Sequence, residues 1–248
     1  MKTQLALALL GATLSAAPAL SWADACTAPG VIIATDPAGD ATDSPTSSAA
    51  TPTIINAEDI VQLAVAEPSN LSNKLVVTLK MVDLAQVPPQ ERWVVYFTAP
   101  DGTEYYVAMS TANASDANEV TPTFEYGKTE YLATPAATVG EFAKIGDLDP
   151  ASNFNADGTI TMVVDPSLVG LGPGKLMDNI FSKVRRSSPA ESNNIGLTND
   201  DTLAEAGSYT LVGNSNCKAG KSGLLGLGAL PLPGLLVMLV LGAIRSRR

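Results

Sequence analysis

The stretch Arg92-Trp93-Val94-Val95-Tyr96-Phe97-Thr98, followed by Ala99-Pro100-Asp101-Gly102-Thr103-Glu104 and Tyr105-Tyr106-Val107-Ala108-Met109, decides the fold. In its first half, Trp93, Val95 and Phe97 recur at every second position. In its second half, Tyr105, Val107 and Met109 do the same. A period of two places these residues on one face of an extended strand, and Asp-Gly between two such runs signals a tight hairpin turn. The two runs therefore predict adjacent antiparallel strands. Trp93 falls on the side of Val95 and Phe97, which predicts core packing. Tyr96 and Tyr106 fall on the opposite side.

Further runs with the same signature lie outward from this hairpin. Leu75, Val77 and Leu79 alternate through 74–81, and Ile60, Leu63 and Val65 begin an earlier run. Strands are also predicted at 123–128, 159–164, 180–186 and 209–212, with the turn Asn155-Ala156-Asp157-Gly158 before one of them. Residues 166–169 predict a single helical turn. Residues 36–53 carry Asp, Ser, Thr, Pro, Ala and Gly without an apolar period, which predicts a loop. Short alternating strands joined by Pro/Gly/Asp turns, with no long amphipathic helix, predict an all-β fold. The expected architecture is an antiparallel β-sandwich, immunoglobulin- or jelly-roll-like, flanked by an N-terminal signal helix and a C-terminal hydrophobic helix.

The two ends predict export. Met1-Lys2-Thr3-Gln4 precedes an apolar run over 5–14 and the small-x-small site Ser21-Trp22-Ala23, the pattern of a secretory signal peptide spanning 1–23. Cys26 lacks the leucine and the uncharged small residues that a lipobox would place before it. At the other end, 223–244 carry no charge and stop at Arg245-Ser246-Arg247-Arg248. As a helix those residues would span about 33 Å, enough for a ~30 Å hydrocarbon core, with the arginines held on the cytoplasmic side. The chain thus divides into a signal peptide (1–23), an extracytoplasmic domain (24–217), a linker (218–222) and a hydrophobic tail (223–248). A domain of that size buries roughly 70% of its unfolded surface and folds without a metal or cofactor.

Charge and composition exclude several functions. The chain has 25 acidic and 15 basic residues, a net charge of −10. Lys2, Lys218, Lys221, Arg245, Arg247 and Arg248 lie outside 24–217 and every acidic residue lies inside, so the domain carries 9 − 25 = −16. Such a surface repels nucleic acid. The absence of histidine excludes Ser-His-Asp and Cys-His catalysis. No Gly-x-Ser-x-Gly elbow and no phosphate loop occur. Cys26 and Cys217 are the two cysteines and sit at the borders of the domain, which predicts a disulfide bringing the first and last strands side by side. Closing so long a loop would stabilise the fold by roughly 5 kcal/mol on the chain-entropy account.

Four strings resemble a β-sandwich module of bacterial exported proteins, often appended to secreted proteases. They are Asp36-Pro37-Ala38-Gly39-Asp40, Trp93-Val94-Val95-Tyr96-Phe97-Thr98, Tyr105-Tyr106-Val107-Ala108-Met109-Ser110-Thr111 and the run 207–217, Gly-Ser-Tyr-Thr-Leu-Val-Gly-Asn-Ser-Asn-Cys. The opening Asp-Pro-Ala-Gly-Asp is similar to the start of DOMON-like and family-9 carbohydrate-binding-like domains. The tail, with Gly223-Leu224-Leu225-Gly226-Leu227-Gly228 and Leu230-Pro231-Leu232-Pro233 before its arginines, resembles PEP-CTERM and GlyGly-CTERM sorting tails, without the Val-Pro-Glu-Pro signature. The first resemblance implies binding or spacing rather than catalysis. The second implies membrane attachment or surface sorting by a processing protease.

These readings leave three site expectations. Asp36, Asp40 and Asp43 share one loop and offer hard oxygens suited to a structural calcium ion, against the plainer alternative of a solvated acidic loop. Tyr96 and Tyr106 could form a ligand platform on the outer sheet face. Lys183, Arg185 and Arg186 form a basic cluster that either balances the acidic surface or meets a partner. The expected function is a non-catalytic binding module for carbohydrate or a surface protein, membrane-anchored or surface-sorted. The alternatives are a spacer of the envelope or matrix and, more remotely, a carboxylate-dependent hydrolase.

Overall fold

The computed structural model describes residues 25–41, 55–111, 120–133, 138–186 and 198–217. The signal segment, Asp43, the linker and the hydrophobic tail lie outside them. Among the described residues no helix is long and apolar enough to cross a membrane.

The strands form two antiparallel sheets. They are β1 (Val31–Thr35), β2 (Ile60–Ala66), β3 (Leu75–Met81), β4 (Glu91–Thr98), β5 (Glu104–Ser110), β6 (Thr123–Ala133), β7 (Thr138–Asp147), β8 (Asn153–Phe154), β9 (Thr159–Val164), β10 (Leu176–Arg186) and β11 (Thr198–Thr210). One sheet has the order β1-β2-β3-β9-β8, the other β11-β10-β4-β5-β6-β7. The expected all-β sandwich is what the chain forms.

The deciding hairpin is β4–β5, with Trp93 opposite Met109 and Tyr96 opposite Tyr106. Its turn is closed by Ala99 N–H to Thr103 O (2.9 Å), Gly102 N–H to Ala99 O (2.9 Å) and Thr103 N–H to Asp101 Oδ1 (2.9 Å). The inner residues Trp93, Val95, Phe97, Val107 and Met109 are fully buried with Leu63, Val77 and Leu79 from the facing sheet. Trp93 is core, and its indole N–H donates to Ala57 O at 2.8 Å, which satisfies its one polar atom. Residues 166–169 form the expected single turn, a 3-10 turn capped by Asp165, whose carboxylate accepts from Ser167 N–H.

Three strands escaped the periodic reading. β1, β7 and the two-residue β8 are all edge strands, paired on one side only. An edge strand carries fewer inward apolar residues, so its alternation is weak. The disulfide Cys26–Cys217 forms, with Cα atoms 5.3 Å apart. The expectation that the first and last strands lie side by side needs correction. β1 and β11 edge different sheets and are not hydrogen-bonded partners. They come together across the open side of the sandwich, where Gly207 of β11 meets Ile33 of β1. A Cβ at Gly207 would stand 2.2 Å from Ile33 Cγ2, so only glycine permits this approach.

A buried carboxylate holds the returning C-terminal segment. Glu67 is 1% exposed and follows β2. It accepts hydrogen bonds from Val212 N–H (2.5 Å), Gly213 N–H (2.9 Å) and the Tyr209 hydroxyl (3.2 Å). Its own N–H donates to Ala25 O at 2.7 Å, beside the disulfide. Removing the carboxylate strands buried donors, each costing about 1–3 kcal/mol. Glu67→Ala should therefore lower unfolding stability by about 3 kcal/mol in a denaturant titration, with an unchanged slope. A loss below about 0.5 kcal/mol would contradict this role.

Candidate functional site

The acidic loop after β1 does not act alone. Asp36, Asp40 and Asp201 each place a carboxylate oxygen within 4.8 Å of the others. Asp36 is held where it leaves β1 by donating its N–H to Val61 O (3.1 Å). Asp201 lies on β11, opposite Val184. Its Oδ2 accepts from Ile60 N–H at 2.7 Å and its Oδ1 from Thr202 N–H at 2.6 Å. The site thus joins the β1 loop of one sheet to the edge strand of the other. Asp43, expected as the third ligand, lies outside the described residues.

A further carboxylate, Asp59, is tied to the same loop. Asp59 precedes β2 and is 0% exposed. Its Oδ2 accepts from Gly39 N–H at 2.5 Å, next to Asp40. Its Oδ1 is buried without a hydrogen-bond partner. Sequence reasoning missed both Asp59 and Asp201. For Asp59 a signal was present: Glu58-Asp59 is an acidic pair directly before an apolar strand. For Asp201 there was none, since its closeness to Asp36 depends on how two sheet edges meet.

The electrostatics reflect the crowding. Burial raises the Asp201 carboxyl to about 6; the Ile60 and Thr202 amides oppose the rise, and Asp40 and Asp36 add to it. Burial also raises Asp59, opposed by the Gly39 amide and assisted by Asp40.

The second feature lies on the outer face of the six-stranded sheet. Tyr96 and Tyr106 do face outward, but neither is an open stacking surface: Tyr96 is 4% and Tyr106 0% exposed. The half-buried Phe181 on β10 stacks on Tyr96 with ring centroids 4.8 Å apart and planes 13° from parallel. Tyr106 fills the space left by Gly127 on β6, where a Cβ would sit 2.7 Å from its ring. Neither cover was visible in strand alternation, because both come from neighbouring strands.

Basic side chains surround these rings. Arg185 Nη1 donates to the Tyr96 hydroxyl at 3.2 Å. Arg185 lies directly opposite Arg92 in the β10–β4 register, and Lys183 opposite Val94. Arg92 pairs with Glu125 at 3.3 Å, and Lys144 reaches Glu125 (3.7 Å) and Asp147 (2.7 Å). Burial lowers the Lys183 pKa, and Arg185 lowers it further. The basic cluster thus extends across two strands: Lys183 and Arg185 are joined by Arg92. The side chain of Arg186 is not among those described.

A groove of about 490 Å³ lies on the outer face of the other sheet, beside the disulfide, lined by Cys26, Leu71, Val76, Thr161 and Val163 among others. It brings together no charged side chains.

Comparison with protein-family models, curated proteins and solved structures finds no match to this chain.

The raised carboxyls fix a sign. An acid whose pKa is higher folded than unfolded binds its proton more tightly in the folded state. Its stabilising effect is full below the unfolded pKa and disappears as pH rises through the folded one. For Asp201 that window runs from 3.8 to about 6, and Asp59 and Glu67 shift in the same direction. The lowered carboxyls Asp101, Asp149, Asp157 and Asp165 act oppositely, but only as pH falls below their ordinary range near 3.8. Protein stripped of divalent cations should therefore melt at a higher temperature at pH 5 than at pH 7.5. A lower melting temperature at pH 5 would contradict the crowding.

Proposed function

We propose that this chain is an exported, non-catalytic β-sandwich module, anchored or sorted at the membrane by its hydrophobic tail. It binds an anionic carbohydrate on the outer face of its six-stranded sheet; a surface protein presenting carboxylates is the alternative ligand. The observation that carries this reading is Arg185 directly opposite Arg92, with Lys183 alongside, in a chain of net charge −10. Like charges directly opposed across strands destabilise a sheet. Glu125 already meets Arg92 at 3.3 Å; an anionic partner would add to that on the outer face, where guanidinium groups match carboxylate or sulfate in planar, paired contacts. The tyrosines then act beneath the cations: Tyr96 positions Arg185 rather than stacking on a sugar.

The disulfide supports an oxidising compartment on the far side of a membrane. The resemblance to accessory modules of exported proteins supports binding over catalysis. A second reading, a spacer of the envelope or matrix, draws support from the burial of Tyr96 and Tyr106.

The test is binding of the purified full chain to uronate- or sulfate-bearing polysaccharides against neutral ones. Acidic glycans should be retained, salt should weaken them, and Arg185→Gln with Lys183→Gln should cost tenfold or more in affinity. Binding to no glycan would favour the spacer. Acidic binding untouched by the two substitutions would place the ligand elsewhere.

A further inference from the structure

The two sheets differ sharply in charge. All 25 acidic residues of the chain lie within 24–217, yet β1, β2, β3, β8 and β9 contain none of them, and Lys80 is their one basic residue. The six-stranded sheet carries Glu91, Glu104, Glu125, Asp147, Asp178 and Asp201. On the outer face of the five-stranded sheet, one uncharged row crosses every strand as Ile32, Ala64, Thr78, Thr161 and Asn153. The next row toward the disulfide is Ala66, Val76 and Val163, with Leu71 packed against it. The groove beside the disulfide opens here. Ile32 is 54% exposed, and Asn70 and Asn153 at the groove are exposed.

We propose that this uncharged face, at its disulfide end, rests on the lipid head groups of the membrane and turns the basic ligand face outward. The proposal rests on the reading of 223–248 as a membrane-inserted tail. Given that tail, chain length decides which part of the domain meets the bilayer. The uncharged run begins at Gly223, six residues beyond Cys217. Six residues reach at most about 21 Å when fully extended. A domain of this length has a radius of gyration of about 16 Å, so its far surface lies beyond that reach. Cys217 is bonded to Cys26, and Cys26 lines the groove. The tether therefore draws the groove, and the sheet end around it, to the membrane.

Charge selects the same end. Anionic head groups repel an acidic surface and tolerate an uncharged one. The loop over 68–73, which contributes to the groove, carries no charged residue. Asp149, whose N–H donates to Val163 O at 2.9 Å, is matched by Lys74 at 2.9 Å. The acidic joint lies at the opposite end of the strands: Thr35, next to Asp36, pairs with Gln62, whereas Val31 at the disulfide end pairs with Val65. In the tether itself, Lys218 and Lys221 add attraction to anionic lipid. Arg92, Lys183 and Arg185 stand on the outer face of the other sheet, on the far side of the sandwich, where a long anionic polymer can reach them without entering the gap at the membrane.

The experiment reconstitutes the full chain into vesicles of phosphatidylcholine and phosphatidylglycerol that carry a nitroxide on the head group, a quencher that acts only near the bilayer surface. Single tryptophans are introduced as Ile32→Trp and Asn70→Trp on the proposed membrane face, and as Lys144→Trp on the six-stranded sheet. Emission of the parent chain, from Trp22 and Trp93, is subtracted. Ile32→Trp and Asn70→Trp should be quenched several-fold more strongly than Lys144→Trp. Asn70 lies in an exposed turn, so its variant decides the matter if Ile32→Trp fails to fold. Flotation of the vesicles separates the two readings. A chain that does not float with them overturns both the tail reading and this proposal. A chain that floats but shows equal quenching at all three positions, stronger quenching at Lys144→Trp, or none at all overturns the proposed face and leaves the tail reading standing.

Discussion

The sandwich depends on how its last strand is held against its first sheet. Among the described residues the two sheets share no backbone ladder, and their apolar interiors attract without fixing which edges meet. What fixes them is a small set of directional contacts between carboxylates and backbone amides. Asp201, on the six-stranded sheet, takes the amide of Ile60 on the five-stranded one. Glu67, at the end of β2, takes the amides of Val212 and Gly213 beyond β11. Charge-assisted bonds of this kind are roughly twice as strong as neutral ones, and they are least replaceable where water is excluded. The disulfide ties the same two chain ends covalently. A chain that leaves its first edge and returns to it 191 residues later is thus held at both ends of the joint.

This arrangement also explains where the sequence could be read and where it could not. The β4–β5 hairpin was legible because Trp93, Val95 and Phe97 must all face one way and an Asp-Gly turn connects the runs. The same reasoning located β2, β3, β9 and β10, whose inner faces are apolar. It missed β1, β7 and β8, which lie at edges, and it found only the end of β11, whose upstream half carries Asn199, Asp200 and Asp201. Those polar residues read as loop, yet one of them is the residue that locks the sheets together. Strand periodicity reports burial against a core; it does not report which edges meet.

The candidate sites divide in the same way. Asp36 and Asp40 stood out because they are close in sequence. Asp59 and Asp201 did not, because their nearness to that loop is a property of the fold. On the outer sheet face, alternation placed Tyr96 and Tyr106 correctly but could not show Phe181 stacked on one and the gap at Gly127 filled by the other. The basic residues Lys183 and Arg185 were visible as a cluster, whereas their opposition to Arg92 required the register of β10 on β4. An acidic joint between the two sheets and a basic face on one of them are thus each legible only in part from local sequence.

The claim that carboxylates fasten the edges together is tested most directly by native-state hydrogen exchange with the disulfide intact. The amides to follow are Ile60, Val212 and Gly213, whose acceptors are side chains distant in sequence rather than a neighbouring strand. If the joint closes the sandwich, these amides exchange only through global unfolding, at the rate of core amides such as Val95. Exchange near the rate of an unstructured peptide would show that the edges open freely and that the joint is not what holds the fold.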